Sequence, residues 1–165
     1  MINRLAVFRQ GYWWPLAVGE RVTLTQGDVL RVSISVPFRG PKETFTLYGA
    51  IGTRHTGPLR FDFDEILVAR AALECPESPD KFTTVEGSVD IEIIAAGMLG
   101  LGGISPGVNY DLMVKIEEKP EVYAEIDDII DITGAAAPDM TGMMGMMVML
   151  MMLGMVMPMA TEGME

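Results

Sequence analysis

Four stretches of the chain alternate apolar and polar residues with a period of two, and that pattern commits them to β-sheet. In 29–36, Leu30, Val32, Ile34 and Val36 fall on one side of an extended strand, opposite Arg31, Ser33 and Ser35. In 44–51, Phe45, Leu47, Gly49 and Ile51 oppose Thr44, Thr46 and Tyr48. In 85–93, Val85, Val89, Ile91 and Ile93 oppose Glu86, Ser88, Asp90 and Glu92. In 110–116, Tyr110, Leu112, Val114 and Ile116 oppose Asp111, Met113 and Lys115. β-Branched and aromatic residues on one face and polar residues on the other describe half-buried strands.

Shorter runs at 21–25, 59–63, 66–73 and 122–132 fill the gaps, the third with alanines that would also suit a helix. Turn chemistry separates the segments: Gln26-Gly27-Asp28, Arg39-Gly40-Pro41, the run 76–79 and Ser105-Pro106-Gly107. Seven or eight short strands at this spacing predict a mainly β, antiparallel sandwich with no helix of ordinary length in the body. Trp13 and Trp14 precede Pro15. In a strand, adjacent side chains point to opposite faces, so one tryptophan is expected in the core and the other at an exposed interface.

The C-terminal stretch is of another kind. Residues 140–160 carry no charge and hold 11 of the 15 methionines. As a helix this length spans about 30 Å, close to the hydrocarbon thickness of a bilayer. Methionine favours helix, Asp139 suits an N-cap and Pro158 an end. The segment presents Met143, Met144, Met147, Leu150, Met151, Leu153 and Met155 for burial. Gly142, Gly145 and Gly154 allow close approach of another helix. The domain reading is therefore a β-sandwich over 1–132, a linker at 133–139, a hydrophobic Met-rich helix at 140–160 and an acidic tail at 161–165.

Several roles fit such a segment. One is burial against copies of itself or other structural subunits, which flexible thioethers suit. A second is a membrane anchor, although no Lys or Arg flanks the run to orient it. Thioether ligation of copper(I) is a third, but the spacers are Val, Leu and Gly rather than polar, His-containing sequence. A disordered methionine surface is the fourth. The N-terminal run 1–9 does not read as a signal peptide, because Arg9 and Gln10 interrupt it before any cleavage site. Membrane contact is accordingly expected from the far end.

The net charge of -11 is unevenly spread. Residues 1–70 hold nine Lys/Arg and six Asp/Glu, whereas 71–165 hold three and seventeen. The acidic portion argues against nucleic-acid binding, which needs clustered cations. The asymmetry also allows salt-sensitive attraction between copies. The single cysteine, Cys75, excludes an intrachain disulfide and reads as a core residue. A nucleophilic role would need His55, the one histidine.

Asp62 and Asp64 would share a strand face and are the candidate ligands for a hard cation, with 127, 128 and 131 a second acidic group. Paired carboxylates could also serve glycoside hydrolysis if they faced one another across a cleft. The glycines of 95–104 lack the Lys-Ser/Thr of a phosphate loop. They read as an apolar loop whose Leu99 and Leu101 would be covered by a neighbouring subunit. No catalytic residue and no cofactor is expected.

The runs 40–48, Gly-Pro-Lys-Glu-Thr-Phe-Thr-Leu-Tyr, and 106–112, Pro-Gly-Val-Asn-Tyr-Asp-Leu, resemble strand-and-turn phrases of immunoglobulin-like modules. Such modules occur on cell surfaces and in phage virion and tail proteins. The resemblance extends loosely over 20–132, lacks the Cys…Trp…Cys pattern of true immunoglobulin domains, and transfers no site residue. It implies an Ig-like or jelly-roll-type sandwich and a non-enzymatic subunit of a virion or surface appendage. A tail-anchored membrane protein with a β-sandwich binding domain is the alternative.

Overall fold

The structure, a computed structural model, describes residues 2–57, 60–96 and 103–134, without the side chains of 55–57, 60 and 61. These residues form strands β1 (Ile2–Arg9), β2 (Tyr12–Leu16), β3 (Val22–Thr25), β4 (Val29–Gly40), β5 (Glu43–Gly57), β6 (Arg60–Cys75), β7 (Ser78–Glu92), β8 (Gly107–Ile116) and β9 (Lys119–Thr133). There is no helix among the described residues. The strands make a four-stranded sheet, β2-β1-β4-β7, and a five-stranded sheet, β3-β9-β8-β5-β6. The expected β-sandwich is the architecture found. The methionine segment 140–160 and its flanks lie outside the described residues.

The period-two faces close on each other. Leu30, Val32, Ile34, Val36, Val85, Val89 and Ile91 of one sheet join Phe45, Leu47, Ile51, Leu112, Val114 and Ile116 of the other in one core. Where an inward position holds glycine, the opposite sheet fills the space. A Cβ on Gly49 would stand 2.7 Å from Val89 Cγ1, and one on Gly87 would stand 2.5 Å from Leu73 Cδ1. Cys75 is buried in this core, as its composition suggested.

Three features depart from the sequence reading. The N-terminal segment forms two strands, joined by a two-residue turn with Gln10 at φ 54° and Gly11 at φ 85°, the type I′ geometry that suits the twist of a hairpin. The described part of the first run, residues 60–63, and the run 66–73 belong to one strand, β6. Pairing shifts between Ile51↔Leu67 and Gly52↔Glu65, so Ile66 is an extra residue and the alternation changes phase there. Finally, not every pair is antiparallel: β3 runs parallel to β9, from Val22↔Ile130 to Thr25↔Thr133.

The registers gather several connections at one end of the sandwich. Phe8 pairs with Val29 and Val29 with Glu92; Thr25 lies beside Thr133, and Gly107 beside Ile132. The β1–β2 turn, the β3–β4 turn, both flanks of the β7–β8 loop and the point where the chain leaves at Gly134 are therefore all at this end.

Candidate functional site

The gathered end carries the exposed aromatic residues. β2 is the outermost strand of its sheet, and Tyr12, Trp13 and Trp14 are 71, 40 and 58% exposed. The expectation that one tryptophan enters the core is corrected here. Trp14 pairs with the buried Val7 and shares its face, but β2 lies at the sheet's margin, where that face is not covered. Trp13, on the outer face, packs against Phe8 at 5.2 Å between ring centroids and carries the Arg31 guanidinium 3.9 Å above its ring.

The backbone of β2 limits how this edge is used. A two-residue turn makes Arg9 and Tyr12 a hydrogen-bonding pair, so alternate residues Trp13 and Pro15 direct their backbone polar groups away from β1. Pro15 has no N–H and removes a donor from that edge, which discourages addition of another strand.

Asp28 ties this end together. It accepts hydrogen bonds from Arg9 Nε at 3.0 and 3.2 Å, from the Thr25 amide at 2.8 Å and from Thr25 Oγ1 at 3.1 Å. Arg9 also donates to the Thr23 carbonyl at 2.9 Å. The β1–β2 hairpin is thereby fixed to β3 of the opposite sheet. Burial pushes the Asp28 carboxyl up, but the Arg9 and Thr25 hydrogen bonds outweigh it and hold the group below the usual carboxylate value.

Segment 97–102, with Leu99 and Leu101, lies outside the described residues. Its flanks meet at this end through the Ala95↔Ile104 bridge. The assembly residues Gly142, Met143, Met144, Gly145, Met147, Leu150, Met151, Leu153, Gly154 and Met155 also lie outside the described residues.

Asp62 and Asp64 sit on one face of β6, on the rungs of His55 and Thr53. Among the described residues no group of three or more His, Cys, Asp or Glu is placed to hold a metal ion. The second acidic group is engaged with arginines: Asp127 with Arg54 at 3.5 Å and Asp131 with Arg21 at 3.6 Å. Asp111, buried on β8, accepts from the amides of Arg54 and Asp128, each at 2.7 Å, and so holds the irregular stretch of β9 where Asp128 has φ 52°. Cys75 and His55 stand toward opposite ends of the β5–β6 ladder, paired with Glu43 and Asp62. At ~3.3 Å per residue the strand separates their backbones by about 40 Å, so they form no dyad.

Sequence reasoning missed a network on the outer face of the five-stranded sheet. The Tyr48 hydroxyl donates to Glu65. Lys115 Nζ lies 3.3 Å from Glu65 and 4.4 Å above the Tyr48 ring, while Arg70 stands 4.9 Å from that ring and 2.8 Å from Glu117. Ala50, Met113 and Phe63 pack beside it. Burial, reinforced by Glu65, pushes the Tyr48 phenol up to about 12, so it remains a proton donor rather than a base or nucleophile. The raised value means that this contribution is complete below pH ~10 and lost as pH rises toward the folded value. Tyr48→Phe is expected to lower stability at pH 7 by about 1–2 kcal/mol in denaturant melts, because the Glu65 carboxylate loses the shorter of its two described hydrogen bonds and keeps the one from Lys115.

No protein-family model matches the chain, and no curated protein matches it either.

Proposed function

We propose that the chain is a non-enzymatic structural subunit of a multi-subunit assembly, a virion or surface appendage, with its segment 140–160 buried against other subunits. The sandwich in this reading is of the immunoglobulin-like or jelly-roll type. One observation carries the proposal: the chain leaves β9 at the same end of the sandwich that exposes Tyr12, Trp13 and Trp14. An uncharged methionine run and an aromatic margin are complementary contact chemistries, since thioethers adapt to ring surfaces. The blunted β2 edge suits burial of side chains over open-ended strand addition.

A second reading keeps the same β body as the binding domain of a membrane-anchored protein. It is favoured by the length of the uncharged run, 21 residues between Asp139 and Thr161.

Sedimentation of the full chain without detergent is expected to show multimers. Met151→Glu is expected to weaken them by at least about 100-fold, the effect of roughly 3 kcal/mol for placing a carboxylate in an apolar contact. A monomeric parent chain, or multimers indifferent to this change, defeats the assembly reading. Co-flotation of the parent with neutral lipid vesicles, lost in Met151→Glu, supports the anchor reading instead.

A further inference from the structure

We propose that the outer face of the β2-β1-β4-β7 sheet carries a binding groove for a neutral oligosaccharide. The groove shares Trp13 with the aromatic margin of the assembly reading but otherwise uses the outer face of the sheet, and saccharide binding is measured separately from multimer formation.

A flat sheet face ordinarily offers no concavity. Here the outward residues in its middle are small. Ala6 pairs with Arg31, Ser33 pairs with Ser88, and these three small side chains form a floor. The larger Trp13 and Arg31 stand on one side and Asn3 and Arg4 on the other, and the segment at Ala17 and Val18 closes a further wall. The groove has a volume of 660 Å³, and an adjoining hollow of 200 Å³ extends it past Ser88 to Glu86. This is the size of a small-ligand site.

The charges of the groove select a neutral guest. Arg31 is neutralised by a bidentate pair with Asp90, both hydrogen bonds 2.7 Å long. Arg4 and Glu86, of opposite formal charge, both line the adjoining hollow. The formal charges of these four side chains sum to zero, so a strongly charged ligand meets no excess of opposite charge here.

The remaining chemistry is mixed at short range. Trp13, Pro15 and Ala6 supply apolar surface, while Ser33, Ser88 and Asn3 supply donors and acceptors a few ångströms away. A pyranose chain has that composition, with C–H faces for the indole and hydroxyl edges for the serines and the amide. Trp13 is also preorganised, since Arg31 and Phe8 fix the orientation of its ring before any ligand arrives.

The test uses the full chain and three neutral probes: maltotetraose, cellotetraose and chitotetraose. Saturable binding of at least one, read by tryptophan fluorescence and by calorimetry, is the expected result. Trp13→Ala is expected to weaken it by at least about tenfold. Ser88→Leu, an exposed position whose larger side chain would fill the floor, is expected to abolish it while leaving the circular dichroism spectrum unchanged. Trp14→Ala, on the other face of β2, is expected to leave it intact. A sulfated heparin tetrasaccharide is expected not to compete. The proposal is overturned if none of the three probes binds saturably, if binding survives both Trp13→Ala and Ser88→Leu, or if the sulfated probe binds more tightly than the neutral ones.

Discussion

Replacing Asp28 with alanine is expected to destabilise the sandwich by about 2–3 kcal/mol at pH 7, and to lower its melting temperature by roughly 8–10 °C. Asp28 is only 3% exposed and accepts from Arg9 and from both the amide and the hydroxyl of Thr25. Its removal leaves these donors without their acceptor. The upper range for breaking a buried pair does not apply, because the Arg9 side chain is 39% exposed and water replaces part of what is lost. The pH dependence identifies the cause. The carboxyl is held below its ordinary value, so its contribution is present above pH ~4 and disappears as pH falls through the lower folded value. Chemical melts of parent and Asp28→Ala should therefore differ at pH 7 and converge in strong acid. An undiminished gap at pH 2 would mean that packing, not charge, holds this end together.

How far the sequence reveals this protein depends on whether a property is local. The faces of β4, β5, β7 and β8 are written in their alternation, and the inward residues form the core, but Tyr48, Ala50, Asp111 and Met113 on the outer face of β5 and β8 are buried as well, which alternation alone did not mark. Position within a sheet is not local. Trp13 and Trp14 alternate as any strand residues do, yet neither is buried, because β2 is outermost and nothing in its own five residues says so. The pairing of β3 with β9 joins residues more than a hundred positions apart and leaves no mark in either segment. The sequence offers 59–63 and 66–73 as two separate runs, whereas residues 60–63 and 66–73 are parts of one strand interrupted by a bulge. The groove residues show the same limit. Arg31, Ser33, Ser88 and Asp90 are all recognisable as outward-facing, but only the register sets Arg31 beside Asp90 and Ser33 beside Ser88.

Gly52→Ala is expected to be among the most damaging single substitutions in the β5–β6 hairpin, lowering stability by about 3 kcal/mol. Gly52 stands at the pairing shift, where β6 comes unusually close. A Cβ there would lie 2.1 Å from the Asp64 carbonyl oxygen, 2.9 Å from its carbon and 2.8 Å from Phe63 Cε1. Two of these three atoms are backbone, so no change of rotamer relieves the contact, and β6 must move away from β5. Gly49→Ala is the natural comparison. Its added methyl would meet Val89 Cγ1 at 2.7 Å and Ile91 Cδ1 at 3.2 Å, both side-chain atoms able to yield within the core. Its loss is expected to be smaller, about 1–2 kcal/mol. The two substitutions should also differ in where they loosen the fold. Displacing β6 at Gly52 opens the rungs from Thr53↔Asp64 onward and strains the Arg54 amide bond to Asp111. Amide exchange should therefore accelerate at Thr53 and Arg54 in Gly52→Ala and remain near parent rates there in Gly49→Ala. If Gly49→Ala proves the more destabilising, resistance in the packed core outweighs close backbone approach at the bulge, and the shift in register is softer than its geometry implies.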